Sequence, residues 1–159
     1  NLRLTPHSAQ ARVRANLEEQ EVSFRPWDSS QPYPTSSLPS LIASKCAHLQ
    51  GKAAFQRFHL AVFRAFFAES RNISDRRVLL SLAQEAGLDI EKFSSDLDQS
   101  GPAREVLAEY EEGQAQYSGW GVPLVIMEDL FPVGGAVPID IYRRAVDICL
   151  ARKAGQSLA

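Results

Sequence analysis

Cys46 and Cys149 are the only side chains in this sequence that could carry thiol or disulfide chemistry. A redox pair normally sits in Cys-x-x-Cys, where a helix N-terminus or a neighbouring cation favours the nucleophilic thiolate. Neither cysteine fits that description. They stand far apart, and each falls on the apolar side of a helical repeat, so the reading is two buried free thiols. A disulfide or reactive pair stays open, because sequence distance does not fix spatial distance. His7, His48 and His59 are scattered without metal-ligand spacing, which argues against a metal centre. Asp28 and Asp129 lie in turn-forming sequence and read as turn residues rather than as a general acid or base.

The remaining candidate for a site is a stretch rather than a side chain: Gly119–Pro138, GWGVPLVIMEDLFPVGGAVP. Leu124-Val125-Ile126-Met127 reads as a strand, Glu128-Asp129 as a tight turn, and Leu130-Phe131 to Val133 as the returning strand. Both faces of this hairpin are apolar, so helices are expected to cover it. Trp120, next to Gly121-Val122-Pro123, is placed to line a groove or to pack. Gly134-Gly135 allows positive φ or a close approach. Two strands alone make no stable sheet, so further strands or a partner subunit are expected. Within the chain only Val22-Ser23-Phe24 offers another strand.

The elements that must hold this stretch are helical. Thr5-Pro6 suits a helix start, and a weakly amphipathic helix is expected to about Gln20. From Arg25 to Pro39 the Pro, Ser and aromatic content argues against regular structure, with Trp27 and Tyr33 pinning the loop. Leu38, Leu41, Ile42, Cys46 and Leu49 share one helical face, capped by Ser36 or Ser37 and ended by Gly51. A helix over about Lys52–Ser70 carries Phe55, Phe58, Val62, Phe63, Phe66 and Phe67, and reads as the hydrophobic centre. Ser74 is expected to cap the next helix, with Val78, Leu79, Leu82 and Ala86 inward and Gly87 at its exit. Asp89 caps a short helix with Phe93 and Leu97. Ser100-Gly101-Pro102 opens another, through Val106, Leu107 and Tyr110 to about Gly113, with Glu109–Glu112 solvated. Pro138 starts the last helix, with Ile139, Tyr142, Val146 and Cys149 inward and Gly155 at its end.

The expected fold class is mostly α (α+β). Its parts are an N-terminal helix and Pro/Ser-rich segment (1–34), a helical bundle subdomain (35–118) and a C-terminal β-β-α (119–154). At 159 residues the chain can bury a core. Its net charge of -2, with 13 arginines and 4 lysines spread along it, gives no basic patch for nucleic acid. No apolar run is long enough to span a membrane. A chain opening at Asn1 without Met leads us to expect sequence upstream of it.

The order Gly121-Val122-Pro123, Val125-Ile126, then Gly135-Ala136-Val137-Pro138 resembles the C-terminal half of a thioredoxin fold. Residues 65–89, AFFAESRNISDRRVLLSLAQEAGLD, resemble the helical insertion of the DsbA-like thioredoxin family. The nearest branch is FrnE-like and 2-hydroxychromene-2-carboxylate isomerase-like, and the likeness covers about Ser36 to Ala151. It implies that Pro123 is cis and that Val122 presents a backbone edge to a bound peptide, thiol or disulfide substrate. Leu124 stands where many relatives carry threonine, and so supplies no hydroxyl. The family's Cys-x-x-Cys and its N-terminal β-α-β are not recognisable, either because this chain lacks that portion or because the redox motif was lost.

The resemblance supports three functional expectations. One is a thiol–disulfide oxidoreductase family member whose redox motif is absent from this chain, which alone would be inactive. The second is an isomerase of the same fold, with glutathione as its cofactor. The third is a non-catalytic domain associating through an exposed sheet edge, including as a homo-oligomer. No nucleic-acid partner, no membrane association and a cytoplasmic setting complete the reading.

Overall fold

The computed structural model describes residues 5, 10–13, 24–128 and 131–155. Of the expected N-terminal helix, residues 10–13 are helical. The remainder of that helix, His7, Val22-Ser23, Asp129 and Leu130 lie outside the described residues. Two compact units emerge, Asn1–Tyr110 and Glu111–Ala159.

The first unit is built on helices α1 (Leu38–His48), α2 (Lys52–Phe67), α3 (Arg76–Glu85), α4 (Ile90–Leu97) and the start of α5 (Ser100–Tyr117). The Ser36 hydroxyl accepts from Leu38 N–H at 3.1 Å and performs the local capping, while Ser37 makes no side-chain cap. Helix α3 is capped by Asp75, whose carboxylate accepts from Arg77 N–H at 2.8 Å, and not by Ser74 as the sequence suggested. Ser74 instead gives its hydroxyl proton to the Asn72 side chain. Asp89 caps α4 through Lys92 N–H, as expected. Gln50 joins α1 to that cap in both directions: its amide nitrogen donates to Asp89 O at 2.9 Å and its oxygen accepts from Asp89 N–H at 2.8 Å.

Phe58 and Phe93 meet at 5.2 Å between ring centroids, with Leu82, Cys46, Ala43 and Ala47 around them. Each such large side chain contributes roughly 1.5–3 kcal/mol by leaving water. The aromatic stripe of α2 is not all core: Phe58 and Phe66 are buried, Phe55 and Phe67 half-buried, and Phe63 is 51% exposed. Five phenylalanines on one helix exceed what a face about 100° wide can hide. Trp27 and Tyr33 pack edge to face at 4.9 Å and lean on Phe66, anchoring the loop before α1. Phe24 forms no strand among the described residues and packs edge-on against Phe67.

Helix α5 runs past Gly113 to Tyr117, since one internal glycine costs only about 1 kcal/mol against a continuing hydrogen-bond ladder. Leu107 and Tyr110 on it are exposed rather than inward. Glu109 is not merely solvated: with Glu105 it pairs with Lys45 of α1.

The second unit holds the end of α5, strands β1 (Leu124–Met127) and β2 (Phe131–Gly134), and α6 (Ile139–Lys153). The strands pair antiparallel, Val125 opposite Val133 and Ile126 opposite Pro132. The side chains of β1 are all half-buried. The inward face of α6 differs from expectation. Ala145 and Cys149 are buried and Tyr142 half-buried, while Ile139 is 59% and Val146 45% exposed.

Candidate functional site

The Val122-Pro123 peptide bond is cis, and the Val122 side chain is 91% exposed. Pro123 O accepts from Gly135 N–H at 2.8 Å, which prolongs the β1–β2 register by one pair. In an antiparallel ladder, bonded and non-bonded pairs alternate. With Pro123–Gly135 bonded, Val125–Val133 and Met127–Phe131 are the bonded pairs. The backbone groups of Leu124 and Ile126 therefore point away from β2. Pro132, opposite Ile126, is where its missing N–H costs the ladder nothing, but it also removes a donor from the outer edge of β2.

Around this edge the chain is held in place by short-range contacts. Trp120 N–H donates to Tyr117 O at 3.0 Å at the end of α5. Its ring lies on Gly134, where an added Cβ would come within 3.0 Å of Trp120 Cε3. Only glycine permits that approach. Gly135 follows at φ +84°, and its carbonyl accepts from the Tyr142 hydroxyl at 3.3 Å. At the far end of β1, Lys153 pairs with Glu128 at 2.7 Å, and this hydrogen bond holds the Lys153 ammonium above its ordinary pKa.

Trp120, Val122 and Pro123 are thus placed on one short stretch of one unit. The other candidates are not brought to it. Cys46 on α1 and Cys149 on α6 are both buried and free. Burial first, and Asp96 second, push the Cys46 thiol up to about 11. His48, the last residue of α1, and His59 of α2 flank Phe55: His48 meets Phe55 at 5.6 Å and Phe55 stacks on His59 at 5.1 Å. They border a cavity of about 590 Å³ with Lys45, Val106 and Tyr110. Asp28 is exposed in the loop before α1, and its backbone N–H donates to the Ser70 hydroxyl. Among the described residues no cluster of three metal-ligating side chains occurs, and no helix is long and apolar enough to cross a membrane. Pro132 is the residue that reading the sequence overlooked. A proline inside a strand already marks an edge.

A thioredoxin family model matches residues 1–109, more than half of the sequence. The chain belongs to this thioredoxin family. The fold agrees: a candidate protein disulfide isomerase from Nitrosomonas europaea superposes with a TM-score of 0.76 over 96% of this chain and 78% of that one, at 19% identity. Among curated relatives, the ClpXP adapter protein SpxH of Halalkalibacterium halodurans is 39% identical over 70 residues, 44% of this chain and 23% of that protein. SpxH of Bacillus subtilis is 35% identical over 71 residues, 45% of this chain and 23% of that protein. The uncharacterized protein YwbO of Bacillus subtilis is 33% identical over 109 residues, covering 58% of this chain and 52% of that one. The match thus spans about a quarter of the adapter proteins' length.

These findings correct one expectation. The thiol–disulfide-exchange and oxidoreductase terms of the expectation conflict with the cysteines this chain carries and with the adapter proteins among its relatives. Its two cysteines are buried in separate units and form no pair poised for catalysis, and the curated relatives that carry a functional name are adapter proteins.

Proposed function

We propose that this chain is a non-catalytic, polypeptide-binding member of the thioredoxin family, an adapter-type unit that holds an extended segment along the outer edge of β1. The observation that carries the reading is the direction of the Leu124 and Ile126 backbone groups. They present a short row of donors and acceptors without a partner strand among the described residues. An extended peptide adds to such an edge through main-chain hydrogen bonds, and the alternating side chains set preference. In this role Val122 continues the edge, Pro123 fixes the turn into it, and Trp120 walls the end nearest α5. The adapter relatives make ClpXP the first machine to test, in a cytoplasmic setting.

An array of eight-residue peptides, paired with copies N-methylated at alternate amides, tests the reading. Apolar extended peptides should be retained and their methylated copies lost. Dithiol-driven insulin reduction should stay at the uncatalysed rate. Insulin reduction above that rate, or an array on which methylation makes no difference, would overturn the proposal.

A further inference from the structure

The cavity of about 590 Å³ in the first unit falls in the size range of small-molecule sites, and three helices wall it. Leu41 and Lys45 come from α1, Phe55 and His59 from α2, and Val106 and Tyr110 from α5. The described N-terminal residues pack elsewhere. Arg12 lies over the Phe66 and Phe67 rings and Phe24 meets Phe67, about two turns beyond His59 along α2.

The apolar walls suit a ring. Phe55 stacks on His59 with 23° between the planes, and the pair makes a half-buried aromatic wall. Tyr110, 64% exposed, borders the same cavity from α5, and no ring contact joins it to either of them. Rings that line one cavity without touching leave room for a third ring between them. The polar groups then fix the charge of what enters. The Lys45 ammonium is bound by Glu109 and lies 3.8 Å from Glu105, so its charge is already answered within the protein. An anion would add a third negative charge beside two carboxylates, and a cation would meet Lys45. Of the three ammonium N–H groups, those two partners leave one uncommitted among the described residues. His48 and His59 contact rings and make no hydrogen bond to a described residue, and a neutral imidazole adds one donor each. The Ser44 hydroxyl is no rival, because its proton goes to Ser40 O at 2.9 Å within α1. Donors on offer call for an acceptor, and the charge balance calls for a neutral one.

We infer that this cavity binds a small planar aromatic molecule that is uncharged and carries a hydrogen-bond acceptor, such as an aryl amide or aryl ketone. The ring enters between Tyr110 and the Phe55–His59 pair, and the acceptor takes N–H groups from Lys45 and His59. The site is independent of the β1 edge, since every residue that lines it belongs to the first unit.

Three naphthalenes of nearly equal size test the inference on the intact chain at pH 8: 2-naphthamide, the anion 2-naphthoate and the cation 2-(aminomethyl)naphthalene. Titration followed by NMR should show saturable shifts of the His59 ring and the Val106 methyls with the amide. The amide should bind about tenfold or more tightly than either charged compound. Tyr110→Ala, at an exposed position, should weaken the amide about fivefold, by the loss of one ring contact. Glu109→Gln removes one of the two carboxylates and should tighten the naphthoate about threefold. Shifts that do not saturate or that centre away from His59 and Val106 overturn the inference. So does a charged compound that binds as well as the amide, a Tyr110→Ala chain that binds the amide unchanged, or a Glu109→Gln chain indifferent to the naphthoate. The adapter reading is decided separately, by the peptide array alone.

Discussion

At the scale of single residues, the chemistry of this chain is decided by what Cys46 lacks. Its thiol is fully buried in α1 and pushed up to about 11 by that burial, so at pH 8 the unreactive thiol form dominates. Native protein at pH 8 should therefore leave Cys46 unlabelled by an aromatic disulfide reagent for as long as it stays folded, and denaturant should expose it at once. Prompt labelling of Cys46 in the folded chain would contradict this. The same shift has a consequence for stability. A thiol that ionises later when folded than when unfolded favours the native state fully below pH 9, and that contribution is lost as pH rises from about 9 through about 11. Gly134 is the second decisive residue. Gly134→Ala places a methyl 3.0 Å from Trp120 Cε3, and the ring, half in solvent, must swing away. In a Trp27→Phe background the emission of Trp120 should shift red, at a cost of about 1 kcal/mol, the low end for overpacking.

At the scale of elements, caps and turns were readable because their signals are local. Asp89 before Ile90, Gly87 after Ala86 and the Leu124–Met127 hairpin all lie where their residue types place them. The cis bond at Pro123 was legible only through family resemblance. Helix faces were harder to read, because size does not say which neighbour exists. Ile139 and Val146 have the right period on α6, yet it is Ala145 that is buried there beside the expected Cys149. The direction of the β1 backbone is a property of pairing parity, and the chain gives it away only through Pro132. Asp75 shows the limit on the local side, since Ser74-Asp75 offers two caps and only geometry chooses. Its carboxylate accepts from Arg77 N–H, and that hydrogen bond, ahead of the Arg77 side chain, holds its pKa below the ordinary value. Asp75→Ala should cost about 1 kcal/mol at neutral pH, whereas Ser74→Ala should leave the cap of α3 in place. The Asp75 contribution is full above the ordinary carboxylate range and fades as pH falls through the lowered value. Urea unfolding of both variants at pH 7 and pH 3 should show the difference between Asp75→Ala and the parent shrinking in acid.

At the scale of the molecule, the two units are unequally provided with core. Phe58, Phe93 and Leu82, all fully buried, belong to Asn1–Tyr110, whereas Ala145 and Cys149 are the buried apolar side chains described in Glu111–Ala159. Burial of large apolar side chains is the main term that opposes chain entropy, so resistance to local opening should follow it. Each unit also carries one tryptophan, Trp27 in the first and Trp120 in the second. Phe58→Ala removes a side chain with no exposed surface and should destabilise the first unit by about 3–5 kcal/mol. In a Trp120→Phe background, the urea midpoint reported by Trp27 should fall accordingly. In the parent chain, amides of α2 and α3 should exchange with solvent more slowly than those of α6. Exchange in α6 as slow as in α2 would mean that the second unit draws its stability from something other than its own buried side chains.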